Sequence, residues 1–402
     1  MSLNETVSAE RLHIAFFGKR NAGKSSLVNA VTGQTLSVVS PIKGTTTDPV
    51  KKAMELLPLG PVLIIDTPGY DDDGALGTLR VEKTKEILHQ TELAVLVYDA
   101  VQGLTEEDRA LISAIRGRSI PLLLAANKCD LLPSLPPTEP DTIPVSARTG
   151  AGVNALKEAM AALGKRSAVQ KQILADLVAP GDTVILVIPI DESAPKGRLI
   201  LPQQLTLREL LDLHCKALCC QVEELPSILA SLKVAPKLVV TDSQAFGSVS
   251  PLVPDQIPLT SFSILFARYK GRLSTLAAGA KALSALQDGD CVLISEGCTH
   301  HRQCKDIGTV KMPDWVRRYT GKQLEFRFSS GGEFPEDLSS VALVIHCGAC
   351  MLNEAAMQHR MEVAQRAGVP MVNYGMAIAQ MHGILARSLE PFSKELQQIT
   401  NE

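Results

Sequence analysis

Short apolar runs recur along the chain, each closed by polar or glycine residues and followed by a stretch with helical spacing. The first, Ile14–Phe17, leads into GKRNAGKSSLVNA at 18–30, and LIIDTPGY (63–70) and PLLLAANKCD (121–130) are built alike. Continuous apolar runs of strand length, alternating with helical patterns, predict a parallel sheet covered by helices. A helical pattern over 152–178 and the turn APGDT at 179–183 close this first region. Strands are then expected at 184–190 and 237–243, with helices between them at 206–220 and 224–232. After Arg268 the pattern resumes: helix 273–287, strand 290–297, strand 341–346, helix 353–368 and the apolar stretch 369–378.

Between strand and helix, residues 18–25 fit the phosphate-loop pattern GxxxxGK(S/T). Gly18 and Gly23 allow the tight turn that aims successive backbone N–H groups at phosphate oxygens, and the helix N-terminus adds a favourable dipole. Gly18, Asn21, Ala22, Gly23, Lys24, Ser25 and Ser26 are the expected contacts, with Lys24 against the β- and γ-phosphates and Ser25 offering its hydroxyl to Mg2+. Asp66 ends a buried strand, where it can hold Mg2+ through water, and Gly69 can turn its N–H to the γ-phosphate. In NKCD (127–130), Asp130 can accept hydrogen bonds from guanine N1–H and the 2-amino group, a pair that adenine does not present. Asn127 and Lys128 shape the base pocket, and the backbone of Ser146 and Ala147 reaches the guanine O6. Four motifs in this order predict a GTP-binding domain.

The loop PIKGTTTDPV (41–50) resembles the switch loop of translation-factor-like GTPases of the tRNA-modification and ribosome-assembly branch. That resemblance makes Thr46 the Mg2+ ligand that acts with Lys24 on the transferring phosphate, and Thr45 a second contact. Asn21 stands where potassium-activated members of the branch carry an asparagine. A K+ ion there would offset charge developing between β- and γ-phosphate oxygens. Tyr70 follows DTPG in place of the glutamine that orients water in many GTPases, so slow intrinsic hydrolysis is expected. The acids of DDDG (71–74) either help to position water or form a solvated switch segment.

Bulk properties narrow the partners. The 402 residues, 45% hydrophobic, suffice for two or three cores. Net charge is −3 and aromatics are 4%, with no basic stripe, so no nucleic-acid partner is expected. No apolar run reaches membrane length, so no membrane partner is expected either. The N-terminus lacks the layout of a signal peptide, which predicts a cytoplasmic, reducing setting. There the nine cysteines are thiols, metal ligands or redox pairs.

His214, Cys215, Cys219 and Cys220 would share the expected helix 206–220, with Leu211, Cys215 and Leu218 on its apolar face. A core role is favoured there over a metal site. Asp191, Glu192 and Lys196 read as solvated loop residues.

The segments SEGCTHHRQC (295–304) and HCGAC (346–350) both leave the carboxyl ends of expected strands, the edge where ligands gather in open parallel sheets. Three chemistries compete. Cys347 and Cys350 alone can form a redox pair. Cys298, His300, Cys347 and Cys350 can hold tetrahedral zinc. Three thiolates can hold an iron–sulfur cluster, with Glu296, His300 or His346 as a weaker fourth ligand, or Cys304 as a fourth thiolate.

CxH followed by HCxxC, behind a GTPase domain of this branch, is similar to the iron–iron hydrogenase maturation GTPases over essentially the whole chain. The resemblance implies an α/β fold: a P-loop GTPase domain (1–175), a middle dimerisation domain (180–265) and a cluster-binding domain (266–402), the last two smaller, with mainly parallel sheets. It further implies a 4Fe–4S cluster on Cys298, Cys347 and Cys350, a homodimer, and scaffold or carrier work for a di-iron centre. The implied partners are apo iron–iron hydrogenase and two radical-SAM maturases. An RNA-modification or ribosome-associated GTPase with structural zinc is the alternative.

Overall fold

The computed structural model describes residues 8–33, 49–57, 59–69, 83–134, 139–167, 172–190, 199–297 and 306–400, with 165–167 and 398–400 described by backbone alone. Thr45, Thr46, Tyr70, the DDDG acids, Asp191, Glu192, Lys196, Cys298, His300 and Cys304 lie outside the described residues. The chain forms two compact units, Met1–Gln170 and Lys171–Glu402.

The first unit runs β1 (Leu12–Phe17), α1 (Lys24–Thr32), β2 (Val50–Leu56), β3 (Gly60–Asp66), β4 (Leu93–Asp99), α2 (Glu106–Gly117), β5 (Leu122–Asn127), β6 (Thr142–Pro144) and α3 (Val153–Ser167). Its sheet has the order β2-β3-β1-β4-β5-β6, and only β2 pairs antiparallel. Both faces of the sheet are covered. Ile14 and Phe16 pack with Leu27, Val31, Leu156 and Met160 on one side. Ala15 and Phe17 pack with Ile112 and Ile115 on the other. Strand interiors must therefore be apolar at every position, not at alternate ones; each fully buried Val, Leu or Ile contributes roughly 1.5–3 kcal/mol. Thr105 caps α2: its hydroxyl accepts from Asp108 N–H, and the Asp108 carboxylate accepts from Thr105 N–H at 2.8 Å. Such a cap is worth about 1 kcal/mol.

The second unit carries two four-stranded sheets, both wholly parallel. The first comprises β7 (Thr183–Val187), β8 (Lys216–Cys220), β9 (Leu238–Thr241) and β10 (Leu259–Ser261), with α4 (Leu201–Asp212), α5 (Leu225–Ser231) and α6 (Phe262–Lys270). After α7 (Leu273–Ala282) come β11 (Cys291–Glu296), α8 (Met312–Thr320), β12 (Glu325–Ser330), β13 (Leu343–His346), α9 (Glu354–Arg366), β14 (Met371–Asn373) and α10 (Tyr374–Met381). The strand orders are β10-β9-β7-β8 and β12-β11-β13-β14. In each, the first strand is flanked by the second and third, and the fourth lies beyond the third.

The correspondence extends to register. Val187 pairs with Thr241 as Ser295 pairs with His346, and Ser261 pairs with Thr241 as Asn373 pairs with His346. Gly181 and Gly289 precede the first strands at φ 90° and 87°. The carboxylates of Asp182 and Asp290 each accept the N–H three residues back, at 2.9 and 2.7 Å. Ser261 and Asn373 each cap the helix after the fourth strand. Residues 181–270 and 289–381 are thus two copies of one α/β plan. The equivalent helices α6 and α10 pack against each other so closely that a Cβ on Gly375 would lie 2.6 Å from that of Ser263. A single apolar cluster, from Val184 through Phe262 and Leu276 to Ile345 and Ile378, runs through both copies.

The helix expected at 206–220 is corrected. It ends at Asp212, His214 turns the chain at φ 58°, and Lys216–Cys220 is a strand paired with β7. Pairing with the sheet overrides the helical preference of Lys-Ala-Leu. His214 and the three cysteines therefore do not share a helix. Cys215 and Cys220 are buried, Cys219 is exposed, and Leu211, expected in the core, is also exposed.

Candidate functional site

The carboxyl ends of β1, β3 and β5 share one edge of the first sheet, and the residues following them meet there. Gly18 lies so close to β4 that a Cβ would stand 2.4 Å from Val97 O. Gly23 has φ 82°, and a Cβ there would meet Asn127 Nδ2 at 2.3 Å. Asn21 also holds a left-handed conformation, at φ 63°. At the start of α1, the buried Lys24 ammonium contacts one oxygen of Asp66 while Ser25 Oγ donates to the other at 2.7 Å. The lysine of the phosphate-loop motif, the hydroxyl expected to hold Mg2+ and the strand-end acid are thus assembled at one point. Thr67, beside them, donates through its backbone N–H and its hydroxyl to Phe16 O. Gly69 follows on the half-buried turn beyond β3.

The residues expected to form the base pocket are tied together by side chain to backbone bonds. Asn127 Nδ2 donates to Ala22 O at 2.8 Å, and its Oδ1 accepts from Ala147 N–H at 3.0 Å, tying the phosphate loop to the 146–147 turn. Lys128, at φ 66°, pairs with Asp99 at 2.7 Å. Asp130 contacts Arg148, and hydrogen bonding from Ser146, then Arg148, holds its carboxyl below the ordinary range. It is therefore ionised and acceptor-only at neutral pH, as guanine recognition requires. Asp99 and Arg148 were not foreseen; an acid ending a buried strand is the signal that could have found Asp99.

A second group of candidates lies in the other unit, where β11 and β13 end side by side. Cys347 N–H donates to Ser295 O at 2.9 Å, closing the pair. Its sulfur accepts the N–H of Gly297 at 3.1 Å and of Ala349 at 3.4 Å, with Ala349 at φ 55°. Burial first, then the neighbouring Cys350 thiol, pushes Cys347 up to about 11. At neutral pH it is a thiol unless a cation takes the proton's place, and a coordinating metal does so outright. Cys298 is the next residue after Gly297.

Glu296 is buried and accepts from Tyr374 Oη at 3.3 Å. Burial, then the Glu296 charge, raises Tyr374, which keeps its proton to donate. His346 is fully buried, and desolvation followed by Arg360 lowers it to about 3, so it is neutral. Arg360 Nη1 lies 2.8 Å from His346 Nε2, and a guanidinium only donates. The ring proton therefore sits on Nδ1, which donates to Cys347 O at 2.8 Å. With both nitrogens engaged, His346 offers none to a metal in this arrangement. Arg360 is 2% exposed; it also donates to Ser295 Oγ at 3.2 Å and to Gly331 O, and lies over the Phe334 ring. Sequence reasoning missed this arginine.

A phosphate loop, a strand-end acid and an NKxD pocket on one sheet edge define a P-loop GTPase, and residues 13–128 match the model of the 50S ribosome-binding GTPase domain. Residues 173–271 match the hydrogen maturase F dimerization domain, and residues 274–391 match that family's tetramerization domain. The chain belongs to the hydrogen maturase F family, the hydrogenase maturation GTPases. Of its three matched regions one is a GTPase domain and two are oligomerisation domains.

Curated relatives align over the GTPase domain. The tRNA modification GTPase MnmE of Bordetella parapertussis is 35% identical over 150 residues, 37% of this chain and 33% of its own. MnmE of Synechococcus sp. is 38% identical over 152 residues, 37% and 32% of the two chains. The chain thus spans about a third of their length. Among solved structures, a point variant of Aquifex aeolicus Era bound to GDP and AlF4− is 19% identical, covering 56% of this chain and 98% of that one, with TM-score 0.35. The G domain of the T. maritima FeoB iron transporter is 23% identical, covering 39% and 99%, with TM-score 0.29. Among the described residues, no helix is long and apolar enough to cross a membrane.

Proposed function

We propose that the chain is a GTP-operated scaffold and carrier: it holds a 4Fe–4S cluster on Cys298, Cys347 and Cys350 and delivers a di-iron assembly to apo iron–iron hydrogenase. Two radical-SAM maturases are the proposed suppliers of that assembly, and a homodimer is the proposed working form. The observation that carries this reading is the Cys347 sulfur, held by two backbone N–H groups at the ends of adjacent parallel strands, with Cys350 beside it. Such donors suit an anionic, metal-bound sulfur and help to set cluster potential. The residues present fit the group, which would supply an iron for anchoring a cargo. Glu296 and His300 are the candidates for its weaker fourth ligand.

In the other unit, Lys24 orients and neutralises the β- and γ-phosphates, Ser25 and Thr46 hold Mg2+ directly, and Asp66 holds it through water. Asp130 selects guanine. Segments 45–47 and 71–73 are the proposed lever by which the nucleotide state alters contact with partners. Anaerobically purified protein is expected to be brown, to contain iron and sulfide, and to activate apo-hydrogenase after exposure to both maturases. Colourless protein with stoichiometric zinc defeats the proposal.

Lys24→Ala is expected to lower GTP turnover about a hundredfold or more, because a donor to the transferring phosphate is lost. Its iron content should match wild type; iron loss in this variant would show that the two sites are not separable. Wild-type turnover is expected to be faster in potassium than in sodium at fixed ionic strength, through a cation beside Asn21. Equal rates would remove that cation site.

A further inference from the structure

A guanidinium buried this deeply normally has a carboxylate beside it, because an isolated charge is costly in a low-dielectric interior. Arg360 has none among the described residues: its partners are Ser295 Oγ, His346 Nε2 and Gly331 O, together with the Phe334 ring. It lies instead behind the segment that carries Cys347. His346 links the two, taking a hydrogen bond from Arg360 on one nitrogen and giving one to Cys347 O from the other.

The fold itself does not require this arrangement, because the other copy does without it. Thr241 stands at the register of His346, with Asp242 next to it where Cys347 follows His346. The helix that follows β9, Phe246–Val249, contains no arginine. The buried cation and its imidazole are present in the copy that carries Cys347 and Cys350; in the other copy, whose cysteines lie elsewhere, Thr241 stands in the place of the imidazole.

We infer that Arg360, positioned through His346 behind the Cys347 backbone, is the buried countercharge of an anionic metal–thiolate group at this edge and raises its reduction potential. The inference rests on the cluster reading above. Three thiolates outweigh the charge of an oxidised 4Fe–4S core, and one-electron reduction adds a further negative charge. A fixed cation within the protein interior favours the reduced state more than the oxidised one. Among the described residues Arg360 touches no cysteine sulfur, so it is a positioning residue. Its signature is a potential and not a rate.

The test uses the full chain, reconstituted anaerobically with iron and sulfide, then titrated redox-wise with the reduced cluster followed by electron paramagnetic resonance. Arg360→Met removes the charge and keeps much of the volume; Arg360→Lys keeps the charge; Ser295→Asp sets a carboxylate against the cation. At a fixed potential, Arg360→Met and Ser295→Asp are expected to move the oxidised-to-reduced ratio about tenfold toward oxidised, a shift of ~59 mV for one electron. Arg360→Lys should stay within about twofold of wild type, on the same scale. Iron loss in Arg360→Met with retention in Arg360→Lys also supports the countercharge. Wild-type potentials in Ser295→Asp and in folded Arg360→Met overturn it, and Ser295→Asp decides alone should Arg360→Met not fold. A wild-type protein that takes up no iron brings down the cluster reading, and this inference with it.

Discussion

Asp130→Asn is expected to exchange the protein's preference for GTP for one for xanthosine triphosphate. The Asp130 carboxylate is kept ionised by Ser146 and Arg148, so it presents two acceptors to a base with two donors. Xanthine has a carbonyl where guanine has its 2-amino group. An amide at position 130 offers that carbonyl a donor and meets the guanine amine with one as well. Sites built on such paired contacts reject the mismatched partner by on the order of 10⁴-fold. The measurement is kcat/KM for GTP, XTP and ATP in wild type and variant. Retention of wild-type GTP selectivity would remove Asp130 from the base pocket.

Cys347→Ala and Cys350→Ala are expected to abolish iron and sulfide retention and hydrogenase activation while leaving GTP turnover at the wild-type rate. Each would take away a direct ligand, so the loss should exceed the roughly 10–100-fold drop that outer-shell changes produce. The nucleotide residues belong to a unit with its own sheet and its own cores, so their chemistry has no need of these sulfurs. Cys304→Ala is the control: a cluster on three thiolates tolerates it. Iron assay and GTPase rate on the same preparations decide the matter. Equal damage from Cys304→Ala and Cys347→Ala would mean a site closed by four sulfurs, and the open-site carrier would fall.

That the candidate nucleotide residues would meet at one edge was legible because phosphate and guanine recognition require fixed residue types at fixed offsets after strands. Gly23, Lys24, Asp66 and Asn127 lie together as their motifs imply. The sulfur-bearing edge was legible for a similar reason, since Glu296 and His346 end adjacent parallel strands. Elsewhere the signal was local and misleading. Lys216–Cys220 has helix-forming residues, and the need to pair with β7 is not written in that segment. Arg360, amid the polar residues of α9, reads as a solvated position until the helix is docked. The internal repeat left only traces: Gly-Asp before Thr183 and Cys291, and Pro before the fourth strands at 258 and 370. Register, and not identity, is what the two copies retained.

The apolar cluster common to both copies has a consequence for folding cooperativity. A cut between residues 271 and 274, where the two family matches part, would separate α6 from α10 and divide one core. Residues 171–402 are therefore expected to melt in a single transition and not as two independent repeats. Whatever binds at the Cys347 edge in the folded state and not in the unfolded one adds its binding free energy to that whole transition. Metal loading there would thus be felt as thermal protection even at β8, in the copy of the plan that does not contain Cys347 and Cys350.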